Sequence, residues 1–196
     1  MPRVVGITGG IGSGKTLIGR IFSGLDVPVF NADTIAKEAY KETSIIQRIA
    51  ERWPQTIDSL GHVQLGQISA IVFQHNHELK WLESVLHPFV HERWNEFLNQ
   101  HIQAPYIIRE SAILIQTQLH LHCDYVIMVE APNDQRVERV QQRSHLSLEE
   151  INRRMDNQMS QEEMSKFSHF IIHNYEPYSV IAQVLEIHQK LTKPII

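Results

Sequence analysis

Gly9-Gly10-Ile11-Gly12-Ser13-Gly14-Lys15-Thr16, close to the start of the chain, matches the pattern G-x-x-x-x-G-K-[ST] of a phosphate-binding loop. Glycines let the backbone of such a loop bend so that successive N–H groups converge on phosphate oxygens. The pattern is informative only between a strand and a helix. Residues 4–8 form a short β-branched run, and apolar residues recur at helical steps from Ile18 to Leu25. The sequence therefore predicts a strand, a phosphate-binding loop and a helix, in that order.

The motif assigns chemistry to its last two residues. Lys15 is expected to reach the β- and γ-phosphates of ATP, and the Thr16 hydroxyl to hold Mg²⁺. The helix that begins near Lys15 adds the positive end of its dipole. A glycine turn that only packs the strand against the helix is the alternative interpretation, and the Lys-Thr pair makes it the weaker one. The residues predicted to bind the nucleotide here are Gly10, Ile11, Gly12, Ser13, Gly14, Lys15, Thr16 and Leu17.

Further along the chain, apolar strand-like runs alternate with helical segments. Residues 125–129 are a near-continuous apolar run, which is typical of a strand buried on both faces of a parallel sheet. Strands separated by helices favour right-handed crossovers and an open parallel sheet. The sequence predicts an α/β fold, with a five-stranded parallel sheet flanked by helices. The remaining strands are predicted at residues 27–30, 106–108 with an extension toward 111, and 170–172, and a last helix at about 178–191.

Two stretches interrupt this alternation. Residues 34–104 show helical patterns rich in aromatic residues and no strong strand signal, which predicts a helical insertion. Residues 136–164 are dense in charge and poor in large apolar residues, which predicts a helical flap. Because no linker or repeat separates these stretches from the rest, we expect a single domain over residues 1–196. Its core would comprise residues 1–33, 105–135 and 165–196.

Asp33 is a candidate for proton transfer, because it follows the second predicted strand. Ligands of parallel sheets collect at the carboxyl ends of the strands. A carboxylate there could orient an acceptor hydroxyl and take its proton. An N-cap for a helix starting at Thr34 explains the same residue equally well.

Arginines are concentrated in the predicted flap. Arg136, Arg139 and Arg143 are spaced so that they share one helical face, and Arg153 and Arg154 follow. Clustered cations are destabilising unless an anion meets them, so a triphosphate or an acidic substrate explains the cluster. A surface helix with salt bridges to neighbouring glutamates is the alternative interpretation.

The composition excludes several classes of protein. The 196 residues carry 18 basic and 22 acidic side chains, a net charge of −4. This argues against a nucleic-acid-binding or membrane-surface protein, which usually has a basic excess. Cys123 is the single cysteine, so we expect a reducing compartment, the cytoplasm. No apolar stretch is long enough to span a membrane.

The motifs as a set resemble the dephospho-CoA kinase family of P-loop kinases. The likeness rests on residues 6–16, on V-P-V-F-N-A-D at residues 27–33, and on V-F and L-E-S-V-L-H-P at residues 72–73 and 82–88. It continues with R-x-x-x-Q-M at residues 154–159 and I-H-N at residues 172–174. The resemblance therefore covers essentially the whole chain.

The resemblance implies that ATP phosphorylates the ribose 3′-hydroxyl of dephospho-CoA, the last step of coenzyme A synthesis. It implies that residues 34–104 bind the acceptor and that residues 136–164 form a lid. The family's catalytic base falls on Asp33, and its lid arginines fall on Arg139 and Arg143. We expect Arg139 to join Lys15 and Asp33 in catalysis, with Arg143 binding the nucleotide. Asn174 falls on the position beside the adenine.

His87 and Glu110 are expected to bind the acceptor together with Asp33. His87 precedes Pro88, and a helix that simply ends there is the alternative interpretation. The chain departs from the family pattern at Asn31, where an aspartate is usual. It also has Ala112 and Gln116 where the family more often has proline and glutamate, while Glu110 keeps a carboxylate.

Two other functions remain open at this stage. Another small-molecule or nucleotide kinase would share the loop, sheet and lid but prefer a different acceptor. A catalytically silent ATP-binding module would bind the nucleotide to regulate a partner. The expected assembly is a monomer or a small homo-oligomer.

Overall fold

The computed structural model describes residues 1–72, 75–144 and 146–193. Phe73 of the V-F motif lies outside the described residues, as do position 145 of the predicted flap and positions 194–196 of the predicted core. In chain order, the strands and α-helices are β1 (Arg3–Thr8), α1 (Lys15–Ser23), β2 (Val29–Asn31), α2 (Ala32–Glu38), α3 (Thr43–Arg52), α4 (Leu65–Val72), α5 (Asn76–Gln100), β3 (Tyr106–Glu110), β4 (Tyr125–Glu130), α6 (Asn133–Arg143), α7 (Leu148–Asp156), α8 (Gln161–Ser165), β5 (Phe170–His173) and α9 (Val180–Thr192).

Within the described residues, five strands form one sheet in the order β2-β3-β1-β4-β5. Every pairing is parallel, which confirms the predicted sheet. β1 lies in the centre, so the glycine loop leaves the sheet at its carboxyl edge between β3 and β4. β2 and β3 end together at that edge, with Asn31 paired to Glu110 in the register.

The sheet's interior is apolar on both sides. All residues of β3 are buried, as are the four inner residues of β4. Apolar side chains of α1 and α9 pack against one face, because their helical spacing puts a stripe of aliphatic residues toward the strands. The core includes Val5, Ile7, Ile18, Phe22, Ile108, Ile127, Val184 and Ile187. Buried polar groups at the strand ends are therefore exceptions that call for a chemical explanation.

Three predicted boundaries change in the structure. β2 covers Val29–Asn31 and not residues 27–30. α2 begins at Ala32, so Asp33 lies in its first turn, and the interpretation of Asp33 as the N-cap of a helix starting at Thr34 is wrong. A carboxylate in the first turn is favoured there by the helix dipole. The last helix begins at Val180, where the Ser179 hydroxyl accepts from the Ala182 N–H as an N-cap.

The chain divides into two compact units, one of residues Met1–Asn31 and His101–Ile196 and the other of Ala32–Gln100. The second unit contains α2 to α5 and has its own core, which includes Ile49, Trp53, Ile68, Leu82 and Val85. Its bounds lie within four residues of the predicted insertion at 34–104. α5 continues through Pro88 to Gln100, so the interpretation of His87 as a helix end is wrong.

The segment predicted as a flap belongs to the first unit and is helical. α7 and α8 each begin with a capping box, in which a serine and the third helical residue exchange hydrogen bonds. These pairs are Ser147 with Glu150 and Ser160 with Glu163. Among the described helices, none has the length and apolar character needed to cross a membrane.

Candidate active site

The glycine loop connects β1 to α1 through backbone conformations that favour glycine. Gly12 and Gly14 have φ values of 78° and 98°, in the left-handed region. A Cβ atom at Gly12 would collide with the Arg136 carbonyl, and one at Gly14 would collide with the Asn174 amide. The loop is thus shaped both by its own φ angles and by neighbours that approach its backbone. Its last glycine is the N-cap of α1, which directs the N-terminus of that helix at the loop.

Lys15 is held against the loop that precedes it. Its ammonium donates to the carbonyl oxygens of Gly9 at 2.7 Å and of Gly10 at 3.2 Å. The residue is only 9% exposed. A buried cation is therefore already positioned at the site where the motif predicts phosphate oxygens.

Glu110 lies at the carboxyl end of β3 and joins two other elements. One carboxylate oxygen accepts from the Thr16 hydroxyl at 2.9 Å. The other oxygen accepts from the Asn31 side-chain amide at 2.8 Å. Glu110 is 2% exposed, whereas Thr16 is exposed to solvent. The structure thus places Glu110, expected among the acceptor-binding residues, directly beside the hydroxyl predicted to hold the metal.

Arg136 and Gln158 bind the backbone of Ile11 from outside the loop. The Arg136 Nε–H donates to the Ile11 carbonyl at 2.9 Å, and the Ile11 N–H donates to the Gln158 side-chain oxygen at 2.7 Å. Arg136 also donates to Asn133 at 3.0 Å and is 5% exposed. Burial lowers the pKa of its guanidinium. Arg136 therefore supports the loop from inside the protein, whereas its spacing with Arg139 and Arg143 predicted a cluster that meets an anion or, alternatively, a surface helix with salt bridges.

Arg139 and Asn174 make a second set of contacts with the loop. Arg139 donates to the Asn174 carbonyl at 2.8 Å and to the Gly12 carbonyl at 3.5 Å. The Asn174 side-chain amide donates to the Ser13 carbonyl at 2.8 Å. These predicted residues therefore converge on the glycine loop. Arg143 is exposed at the end of α6, and Leu17 in α1 is 49% exposed.

The structure contains a polar cluster beside Asn174 that was not predicted from the sequence. His173 hydrogen-bonds the Glu130 carboxylate at 2.6 Å, and its ring lies 4.6 Å from that of Tyr178. The Tyr175 hydroxyl donates to the same carboxylate at 3.4 Å. Glu130 and His173 end neighbouring strands β4 and β5, and only the strand register brings them together. Position at a strand end was the signal that could have identified Glu130.

Asp33 and His87 belong to the second unit. Both side chains are exposed, Asp33 in the first turn of α2 and His87 in α5. His87 lines a groove of about 810 Å³ along one face of α5. Its other lining residues are Ser84, Pro88, His91, Glu92, Asn95, Glu96 and Asn99.

Arranged in this way, the first unit can bind a nucleotide through its phosphates. The loop amides and the N-terminus of α1 supply hydrogen-bond donors, and Lys15 and Arg139 supply positive charge. Thr16 and Glu110 supply oxygen atoms of the kind that Mg²⁺ prefers. Among the described residues, no group of three or more histidine, cysteine, aspartate or glutamate side chains is arranged to hold a metal alone.

Comparison with known proteins agrees with this chemistry. The family model described as dephospho-CoA kinase matches residues 3–178. A dephospho-CoA kinase of Mannheimia succiniciproducens is 32% identical, with 97% of this chain and 92% of the relative covered. One of Prochlorococcus marinus is 34% identical over 88% of this chain and 84% of the relative. A crystal structure from Thermus thermophilus superposes with a TM-score of 0.88 at 28% identity, covering 98% and 99% of the two chains. Because the family model spans nearly the whole sequence and the relatives align over most of their own lengths, the chain belongs to the dephospho-CoA kinase family.

Proposed function

We propose that this chain transfers the γ-phosphoryl group of ATP to the ribose 3′-hydroxyl of dephospho-CoA, giving coenzyme A and ADP in the cytoplasm. The observation that carries the proposal is the convergence of Lys15, Arg139 and the Thr16–Glu110 pair on the glycine loop. Phosphoryl transfer needs mainly positioning and charge stabilisation, and these groups supply both. Membership of the family supports the choice of acceptor.

The nucleotide's phosphates would lie on the loop. Lys15 would exchange its contacts with the Gly9 and Gly10 carbonyls for the β- and γ-phosphate oxygens. Donors that are already positioned stabilise developing charge without reorganisation during the reaction. Arg136 and Gln158 keep the loop in shape through Ile11, so they would act on the reaction indirectly.

The residues present fit a magnesium ion that arrives with ATP. The Thr16 hydroxyl and the Glu110 carboxylate are adjacent oxygen donors at the N-terminus of α1. When bound, the ion supplies neutralisation of the β- and γ-phosphate charges. Glu110 is proposed to help hold the ion because its Oε1 lies beside the Thr16 hydroxyl, in addition to its expected contact with the acceptor.

Asp33 would act as the general base. Its carboxylate would orient the 3′-hydroxyl and take its proton as the hydroxyl oxygen bonds to the γ-phosphorus. The bond from that phosphorus to the β,γ-bridging oxygen breaks, and ADP leaves with the electron pair. Arg139 and Arg143 of the proposed lid, residues 136–164, would cover the transferred group and exclude water. His87, in the groove on α5, would contact dephospho-CoA.

The decisive experiment is a coupled assay of ADP release with ATP and a panel of acceptors. We expect rapid release with dephospho-CoA and background rates with adenosine, AMP and pantothenate. Mass spectrometry of the product should show one added phosphoryl group on the ribose. A preference for AMP would indicate a different small-molecule kinase. Turnover independent of any acceptor would indicate an ATPase, and no turnover with every acceptor would indicate a catalytically silent nucleotide-binding module. Either result rejects the proposal.

A further inference from the structure

Asn31 and Glu110 form a hydrogen-bonded cross-strand pair. They are directly opposite each other where parallel strands β2 and β3 end, so their side chains leave the same face of the sheet. The Asn31 amide donates to Glu110 Oε2 at 2.8 Å. Only the NH₂ end of an asparagine can donate to a carboxylate, which determines the orientation of the amide.

Close packing restricts the conformation of the Glu110 side chain. Its Oε1 accepts from Thr16 at 2.9 Å, and the side chain is 2% exposed. A Cβ atom added to Gly19 of α1 would lie 3.1 Å from Glu110 Oε2, so the helix backbone packs closely on the carboxylate. The carboxylate is thus located by Thr16, Asn31 and the absence of a side chain at Gly19.

The identity of residue 31 determines the net charge of the side-chain pair at positions 31 and 110. An aspartate would put a second carboxylate within hydrogen-bond distance of Glu110. Two carboxylates so close repel each other unless a cation lies between them. The asparagine instead donates a hydrogen bond to the Glu110 carboxylate, so the two side chains are held together without any cation.

We propose that Asn31 is a positioning residue that holds Glu110 directed at Thr16 without adding a second carboxylate, so that the chain binds its divalent cation with the nucleotide and not before it. The inference rests on the proposed function only in requiring a nucleotide and a divalent cation at this site. A single protein carboxylate is a weak ligand for Mg²⁺, which usually binds through one or two carboxylates together with substrate phosphates. Asn31 thereby prevents the empty site from collecting metal.

The first test uses the metal alone as the probe, with no nucleotide or acceptor. Thermal unfolding of the wild type should be unchanged between EDTA and Mg²⁺. Asn31→Asp should unfold at a lower temperature in EDTA, and added Mg²⁺ should restore it, because the cation relieves the repulsion. Mn²⁺ binding followed by electron paramagnetic resonance should be tighter in Asn31→Asp by about tenfold, corresponding to about 1.4 kcal/mol.

Two control variants identify the source of the effect. Asn152→Asp adds the same charge at an exposed position of α7 and should respond to Mg²⁺ as the wild type does. Adding Glu110→Gln to Asn31→Asp should abolish the metal-dependent stabilisation, because the pair of carboxylates is lost. If Asn31→Asp binds Mn²⁺ no better than the wild type, the proposal is rejected.

A second variant tests positioning even if Asn31→Asp does not fold. Asn31→Ala removes the amide donor, so we expect the affinity for Mg·ADP to fall by about tenfold or more, while the affinity for ADP in EDTA stays the same. A purely structural role would weaken both equally and contradict the proposal. Since no experiment here includes dephospho-CoA, a failure of the proposed kinase activity would leave these outcomes unaffected and would be recognised separately.

Discussion

Two cationic side chains at the candidate phosphate site are oriented by backbone carbonyl oxygens of the glycine loop. The Lys15 ammonium and the Arg136 guanidinium both donate to loop carbonyl oxygens. The two cations differ in what a ligand can do to them. Lys15 can turn from its carbonyls to a phosphate because its flexible stem has rotatable bonds, whereas Arg136 is enclosed and supports the loop. The first is therefore expected to affect turnover and the second to affect stability.

Lys15→Ala should lower kcat by at least about 10²- to 10³-fold, the usual effect of removing one preorganised donor to a charged transition state. Steady-state kinetics of ADP release with dephospho-CoA provides the measurement. Lys190→Ala is the matched control, because Lys190 is exposed on α9 and paired with Glu186 at 2.7 Å. A kcat for Lys15→Ala close to that of the control would contradict the assigned role.

Asp33→Asn should lower kcat by about 10²- to 10⁴-fold and leave the KM for ATP nearly unchanged, because a general base acts on the acceptor's proton and not on nucleotide binding. Glu38→Gln is the control, since Glu38 is an exposed carboxylate on the same helix α2. Initial rates at varied ATP and saturating dephospho-CoA separate the two parameters. Near-normal turnover of Asp33→Asn would remove Asp33 as the base.

Helix α6 shows how one element serves both packing and the site. Arg136 and Val140 form its buried face, and Arg139 lies half-buried beside them. The three-residue step from Arg136 to Arg139 turns the second guanidinium toward Gly12 and Asn174. The helix therefore carries arginines of two kinds, one enclosed and one at the edge of the phosphate site. The sequence spacing alone predicted the same role for both arginines.

Arg136→Met should reduce the free energy of unfolding by about 1–3 kcal/mol, because it leaves the Ile11 carbonyl and the Asn133 side chain without this donor. The affinity for ADP should fall as well, since the loop loses a support. Urea unfolding and calorimetric titration with ADP measure the two effects. Arg153→Met is the control, because Arg153 is exposed and forms a surface ion pair with Glu149. Equal stability of the two variants would show that Arg136 does not support the loop.

Over the whole molecule, stability is divided between two compact units with separate cores. The first unit combines the sheet with the helices that carry the phosphate-binding residues. The core of the second unit contains aromatic side chains. Among them, the rings of Trp53 and Trp81 pack edge to face with their centroids 4.8 Å apart. The net charge of −4 is the sum over all residues of the chain. The positive groups of the candidate site are confined to the loop and α6, so the distribution of charge and not its sum is compatible with a polyanionic ligand.

A fully buried tyrosine in the sheet should make the protein sensitive to alkali. Burial raises the pKa of Tyr106, which is 0% exposed and hydrogen-bonded to His188 at 2.6 Å. Above about pH 10 the unfolded chain loses this proton while the folded chain keeps it, so stability is complete below that pH and falls by about 1.4 kcal/mol per pH unit.

Tyr106→Phe should therefore flatten the decline of unfolding free energy between pH 10 and 12, although it costs a hydrogen bond at neutral pH. Denaturant unfolding at a series of pH values measures the slope. Tyr178→Phe, which removes the hydroxyl of an exposed ring, is the matched control. An unchanged slope in Tyr106→Phe would show that another group governs the alkaline limb.

The loop and the fold class were readable from the sequence because their signals are local. Eight consecutive residues specify a phosphate-binding turn, and apolar runs of four to six residues specify buried strands. The prediction failed at the ends of elements. The second strand was predicted to end at Phe30, but pairing with β3 extends β2 through Asn31, and α2 starts at Ala32. Backbone pairing across the sheet is a tertiary effect that overrides such local preferences.

Residue types, the order of elements and the phosphate-binding motif of this protein follow from the sequence alone, because each depends on neighbours in the chain. The shape of the site does not. Asn31 meets Glu110 across 79 positions, and Ile11 meets Gln158 across 147. Such contacts between distant residues decide whether an arginine is buried and which side chains share a carboxylate. They form only when the strands adopt the order β2-β3-β1-β4-β5. The sequence thus carries the chemistry of the nucleotide site, and the folded sheet decides which groups share it.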